Sequence, residues 1–150
     1  MLRSHRSHEL RRGRCAIGDH YYFITTATHE RHPWFTHEHA AYVPLKTLCW
    51  LDDHERIRLE VTVVMPDHIH FVAQLLDVGL HTVMHSFKSY SANKINHVLQ
   101  RRGPVWQAAY YERALTDERG LLMAMRYCLD NPVRAGLVED FRDYPYWYCR

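Results

Sequence analysis

Two short runs in this 150-residue chain hold side chains able to bind a cation and to attack an electrophile. The first is His68-Ile69-His70. On a strand, residues two apart project from one face, about 7 Å apart at Cα, so both imidazoles can converge on one ion while Ile69 packs on the other side. The second is Tyr127-Cys128-Leu129-Asp130-Asn131, in which Tyr127 and Asn131 lie one helical turn apart and face the same neighbour. Taken singly, each run is as ordinary as two polar strand residues or a half-buried helix edge. Together, two imidazoles, one amide carbonyl and one phenol make three ligands for a divalent cation plus an oxygen nucleophile. A metal with open positions polarises a phosphodiester oxygen, and the tyrosine then attacks phosphorus to form a covalent phosphotyrosine. The mixed donor set suits Mn²⁺ or Mg²⁺, although imidazoles also accept zinc or nickel.

These positions require a strand, a helix and a fold that brings them together. Residues 20–28 are β-branched and aromatic and read as a first strand. Thr36 is the expected cap of a helix running through Leu45, Leu48 and Leu51, with Pro44 expected to interrupt or kink it. Arg56 to Val64 reads as a second strand that becomes buried, Met65-Pro66-Asp67 as a turn, and His68 to Leu76 as a third strand. Val83, Phe87, Tyr90, Ala92, Ile95 and Val98 recur at helical spacing between Leu80 and Gln100. Gly103-Pro104 ends that helix, and Val105 to Leu115 reads as a fourth strand. A third helix is expected from a Thr116 cap to Asn131, stopped by Pro132, with Leu121, Leu122, Met125, Cys128 and Leu129 as its core stripe. Phe141 to Arg150 reads as aromatic and irregular. The order β-α-β-β-α-β predicts an α+β, ferredoxin-like split βαβ antiparallel sheet, with an added C-terminal helix that carries Tyr127.

Composition narrows the class. With 47% apolar and 24% charged residues and no apolar run near the length of a membrane span, a single soluble, cytosolic domain over residues 15–150 is expected, behind a basic tail at 1–14. The Arg-rich start lacks the apolar core of a secretory signal. Cys15, Cys49, Cys128 and Cys149 are far apart and contain no C-x-x-C pair, which argues against a zinc ribbon or a disulfide framework. The net charge of +2 conceals segregation. Arg3, Arg6, Arg11, Arg12 and Arg14 against Glu9 make the tail +4, residues 15–76 carry −4, and Lys88, Lys94, Arg101 and Arg102 make residues 79–102 +4. Two basic segments around an acidic body form an electrostatic footprint for a polyanion.

Met65-Pro66-Asp67-His68-Ile69-His70, Val105-Trp106-Gln107 and Tyr127-x-x-x-Asn131-Pro132-Val133-Arg134-Ala135-Gly136-Leu137-Val138 resemble, in their joint order and spacing, the single-tyrosine transposases of the His-hydrophobic-His superfamily. The REP-associated tyrosine transposases are the most similar group, and the resemblance extends from about Tyr21 to Trp147. It implies a nuclease domain that cleaves and rejoins single-stranded DNA, often beside a hairpin, through a 5′-phosphotyrosine. His68, His70 and Asn131 would be the metal ligands and Tyr127 the nucleophile. The phosphotyrosine keeps the bond energy for rejoining, so no ATP site is required. Lys88, Lys94 and the tail arginines Arg11, Arg12 and Arg14 would contact phosphates, Trp106, Tyr110 and Tyr111 would stack unpaired bases, and Arg101, Arg102 and Gln107 are further DNA-binding candidates. The expected setting is the cytoplasm at the nucleoid, as a monomer or a homodimer. The competing reading is a non-catalytic DNA-binding regulator derived from a transposase. A metal store suggested by 13 His is the weakest, because His5, His8, His20, His29, His32, His37 and His39 share no period.

Overall fold

In the computed structural model, which describes residues 21–76 and 78–150, five strands form one antiparallel sheet in the order β4-β1-β3-β2-β5. They are β1 (Tyr21–Ala27), β2 (Ile57–Met65), β3 (His68–Leu75), β4 (Tyr111–Leu115) and β5 (Trp147–Cys149). The helices are α1 (Glu38–Asp53), α2 (Leu80–Leu99) and α3 (Glu118–Arg134). The first four strands with α1 and α2 make the expected split βαβ arrangement, and α3 is the added helix.

β3 is covered on both faces. Ile69, Phe71, Ala73 and Leu75 pack with Leu48 and Leu51 of α1 and with Met84 and Phe87 of α2. Val72 packs on the opposite side with Ala124 and Cys128 of α3. Strand alternation therefore assigns His68 and His70, which share the parity of Val72, to the α3 side. β2 changes faces along its length: Ile57 and Leu59 belong to the α1/α2 core, while Val61, Val63 and Met65 belong to the α3 core. The register with β3 shifts between Leu59 and Val61, so Glu60 is the extra residue of a bulge that exchanges the faces.

Three elements, α1, β4 and α3, differ from the sequence expectations. Thr36 lies in a short 3-10 turn, and the cap of α1 is His37, whose Nδ1 accepts from the Ala40 N–H at 3.4 Å. α1 continues across a buried Pro44. The fourth strand is shorter than expected. Trp106 makes an isolated bridge to Thr28, but pairing with β1 resumes only at Tyr111. Between them the Lys88 ammonium donates to the carbonyls of Gln107, Ala108 and Ala109 at 2.7, 3.2 and 3.2 Å, taking the acceptors a strand partner would have used. α3 does not stop at Pro132. It is capped by the Asp117 carboxylate on Gly120 N–H (2.7 Å) and runs through a buried Pro132 to Arg134. Gly136, at φ +78, then closes it, with the Leu137 N–H donating to the Pro132 carbonyl at 2.9 Å. Leu122, expected in the core stripe of α3, is instead exposed together with Met123.

The segment read as irregular contains β5, which covers the β2 edge by pairing Cys149, Tyr148 and Trp147 with Val61, Thr62 and Val63. Just before it, the Tyr144 hydroxyl donates to the Val64 carbonyl at 2.5 Å, and Val64 N–H donates to the Tyr146 carbonyl at 2.9 Å. Burial, with a smaller contribution from Tyr146, pushes the Tyr144 phenol up to about 12. Its folded pKa is thus above the unfolded value of about 10, so the neutral hydroxyl supports the fold below pH of about 10 and that support is lost as pH rises through about 12. Tyr144→Phe is expected to cost about 1–2 kcal/mol at neutral pH by stranding the Val64 carbonyl. It should also flatten the alkaline fall in stability, and urea midpoints of both proteins at neutral and alkaline pH check this.

Candidate active site

β3 and α3 bring the two motifs of the sequence face to face. The His70 ring lies edge-on to the Tyr127 ring, with centroids 5.4 Å apart and planes at 75°. His68 and His70 are 4.8 Å apart at their centroids. Phe23, on β1, joins them by stacking on His70 at 5.4 Å and meeting the Tyr127 ring edge-on at 5.7 Å. Tyr127 is 44% exposed although its ring meets both His70 and Phe23. Asn131, one turn further along α3, is only 8% exposed. Among the described residues its Nδ2 has no hydrogen-bond partner.

Both imidazoles are held from behind. Thr25 faces His70 across the β1–β3 ladder, with Oγ1 at 2.7 Å from His70 Nδ1. His68 Nδ1 lies 2.8 Å from Asp67 Oδ1. Asp67 is in turn gripped by Arg31, whose Nε and Nη2 donate to its two oxygens at 3.1 and 3.3 Å. Burial acts to raise the Asp67 pKa, but hydrogen bonds from Arg31 and His68, and their charges, hold the carboxyl below its ordinary range. An ionised carboxylate only accepts, so His68 Nδ1 must be the donor, which in the neutral ring leaves the lone pair on Nε2. Burial above all, then the charges of His68, Arg134 and Arg31, depress the His70 pKa to about 3. His70 is therefore neutral and keeps a lone pair for a ligand.

Among the described residues no group of three His, Cys, Asp or Glu side chains is placed to hold a metal ion. A donor set here has to include an amide carbonyl, which Asn131 Oδ1 could supply; the unpartnered Nδ2 of that buried side chain is a hydrogen-bond donor and is no cation ligand itself. Two imidazoles and one amide could hold a divalent cation with positions to spare.

The other predicted residues lie elsewhere. α2 and its exit are on the opposite face of the sheet from α3, and with them Lys88, Lys94, Arg101 and Arg102. Lys88 is engaged with the 107–109 carbonyls and lies 5.3 Å from the Tyr110 ring centroid. Arg101 stacks over Trp34 at 4.3 Å and donates to Asn96 at 2.6 Å. Lys94 is exposed beside Tyr90, and Arg102 is exposed. Trp106 is core: it is 7% exposed between Phe35 and Phe87, and its indole N–H donates to Ser91 at 2.9 Å, so no ring face is open to a base. Gln107 is exposed at the segment Lys88 holds. Arg11, Arg12 and Arg14 lie outside the described residues. Residues the sequence reading passed over stand nearer: Thr25, Phe23, Asp67 and Arg31, with Arg113 and Arg134 over the Phe23 and Tyr127 rings. Asp67 adjoins His68, and Arg134 follows Tyr127 by seven residues, two turns on one helix face; those spacings were the available signals.

The family model for IS200-like transposases matches residues 16–130. A protein of Haemophilus influenzae named as a REP-associated tyrosine transposase is 26% identical over 105 residues, covering 63% of this chain. The chain spans 60% of that relative's length. In shape the chain is similar to a REP-associated tyrosine transposase solved bound to a REP hairpin, with a TM-score of 0.70 and 18% identity over 85% of this chain and 75% of that one. It is also similar to a structure from Deinococcus radiodurans named as a transposase, with a TM-score of 0.56 and 19% identity over 78% of this chain and 94% of that one. At these identities the two structures show a shared fold.

Asp67→Asn is expected to release the His68 tautomer, because an amide can donate where the carboxylate could only accept. Long-range proton–nitrogen NMR should show His68 bare at Nε2 in the native protein and a tautomer mixture in the variant. An unchanged His68 pattern would show that Asp67 does not set it.

Proposed function

The chain belongs to the IS200-like transposase family, and on that premise we propose that it cleaves and rejoins single-stranded DNA, at sites flanking hairpins, with Tyr127 as the nucleophile. The observation that carries this reading is the half-exposed Tyr127 with its ring seated against His70, beside a second imidazole and a buried amide.

In the proposed reaction the Tyr127 Oη forms a bond to phosphorus as the bond from phosphorus to the 3′ oxygen breaks. The hydrogen of the phenol ends on the released 3′-hydroxyl, and the 5′ phosphate stays on Tyr127. Reversal by another 3′-hydroxyl rejoins the strand without an energy source. His68, His70 and Asn131 would hold a divalent metal, Mg²⁺ or Mn²⁺. When bound, such an ion polarises the phosphoryl oxygen and neutralises charge that develops there. The chain's own contribution is positional: Asp67 and Thr25 orient the two imidazoles, and Phe23 and His70 fix the plane of the attacking ring. Among the described residues no helix is long and apolar enough to cross a membrane; a substrate of chromosomal DNA would place the reaction at the nucleoid in the cytoplasm.

With Mn²⁺ and labelled single-stranded oligonucleotides, the native chain is expected to form a protein–DNA adduct that survives denaturation. Tyr127→Phe should form none while its oligonucleotide affinity changes by no more than about threefold, since only the attacking oxygen is lost. Chelation by EDTA should stop adduct formation and leave binding. An adduct persisting in Tyr127→Phe would refute the assignment, and binding without cleavage in the native protein would favour a transposase-derived regulator.

A further inference from the structure

Two guanidiniums flank the nucleophile's ring. Arg134 lies with Cζ 4.2 Å from the Tyr127 ring centroid. Arg113 lies with Cζ 5.4 Å from the ring of Phe23, which itself touches Tyr127. Arg113 faces Phe23 across the β1–β4 ladder, so it is on the same face of the sheet as His70. Both arginines are exposed, and among the described residues neither has a carboxylate within ion-pair distance. Arg31, by contrast, is committed to Asp67. Arg134 reaches this place only because α3 continues past Pro132 for a further turn before Gly136 closes it. Each guanidinium lies beside an aromatic ring, and its planar fork matches the geometry of a phosphodiester.

The geometry points to a two-arginine phosphate subsite on this face, in which Arg134 takes a non-bridging oxygen of the phosphodiester under attack and Arg113 takes a neighbouring phosphate of the same strand. The inference rests on Tyr127 being the nucleophile. Arg134 lies over the ring whose oxygen attacks, so its charge acts where negative charge grows on the equatorial oxygens. Arg113, one ring further away, holds the strand in place without meeting the reacting atoms. The two residues should therefore separate kinetically.

The probes are oligo(dT), for binding over a series of salt concentrations, and random-sequence single-stranded oligonucleotides with Mn²⁺, for the rate of adduct formation at saturating DNA. Arg134→Ala and Arg113→Ala should each lower the salt slope of oligo(dT) binding by about 0.7, the value for one phosphate contact on a single strand. Arg134→Ala should also lower the adduct rate by about 100-fold or more, as removal of one transition-state donor does. Arg134→Lys should restore part of that rate, because it keeps the charge without the fork. Arg113→Ala should raise the DNA concentration that half-saturates adduct formation, and should lower the saturated rate far less than Arg134→Ala does. An Arg134→Ala protein that forms adduct at the native rate, while Tyr127→Phe forms none, overturns the subsite and leaves the nucleophile in place. An adduct in Tyr127→Phe overturns the nucleophile instead. A double variant, Arg113→Ala with Arg134→Ala, whose affinity and salt slope match the native protein, overturns the subsite on binding alone.

Discussion

β3 is the central strand, and both of its faces must be buried. Ile69, Phe71, Ala73 and Leu75 are held by the α1/α2 core, and that commitment leaves His68, His70 and Val72 no direction except toward α3. A slip of one residue in the pairing with β1 would turn the imidazoles into the α1/α2 core and put Ile69 and Phe71 under α3. The register from Tyr21↔Gln74 to Ala27↔His68 is thus what makes a site possible. Thr25 falls opposite His70, Phe23 falls within stacking distance of it, and α3 sets Tyr127 on the resulting platform.

Electrostatics on this platform are unlike those of the rest of the surface. His70 is kept neutral by burial, with the charges of His68, Arg134 and Arg31 acting the same way. The cations around it have different duties. Arg31 is paired and acts through Asp67 on His68, while Arg113 and Arg134 rest on aromatic faces. The region is positive from residues far apart in the chain, whereas in α2 Lys88 ties down the segment after Trp106.

The strand order, the helix positions and the meeting of His70 with Tyr127 were legible in the sequence because each rests on a short-range pattern: period two in β3, period 3.6 in α2, i to i+4 in α3. What was not legible depends on partners. Val105 to Leu115 has strand composition throughout, yet Lys88 claims the carbonyls of residues 107–109. Pro132 is a helix breaker by propensity, but buried in the α3 core it is tolerated, and Gly136 sets the end. β5 has too few residues to announce itself and exists because the β2 edge is available to it. Charge counting found basic segments but not the isolated arginines that the fold gathers around Tyr127.

Glu30 and Arg31 both sit in the left-handed region, at φ +54 and +55, where residues with a Cβ are strained by about 1 kcal/mol or more each. That turn is what carries the Arg31 fork onto Asp67. Glycine would relax either position. At 30 it would give up an exposed carboxylate 3.6 Å from His29, but at 31 it would remove the guanidinium that steadies the first histidine of the pair. Relief of backbone strain at 31 would thus be set against loss of the two Asp67 hydrogen bonds and against the entropy of a glycine, so the strained turn and the Arg31–Asp67 pair balance each other locally.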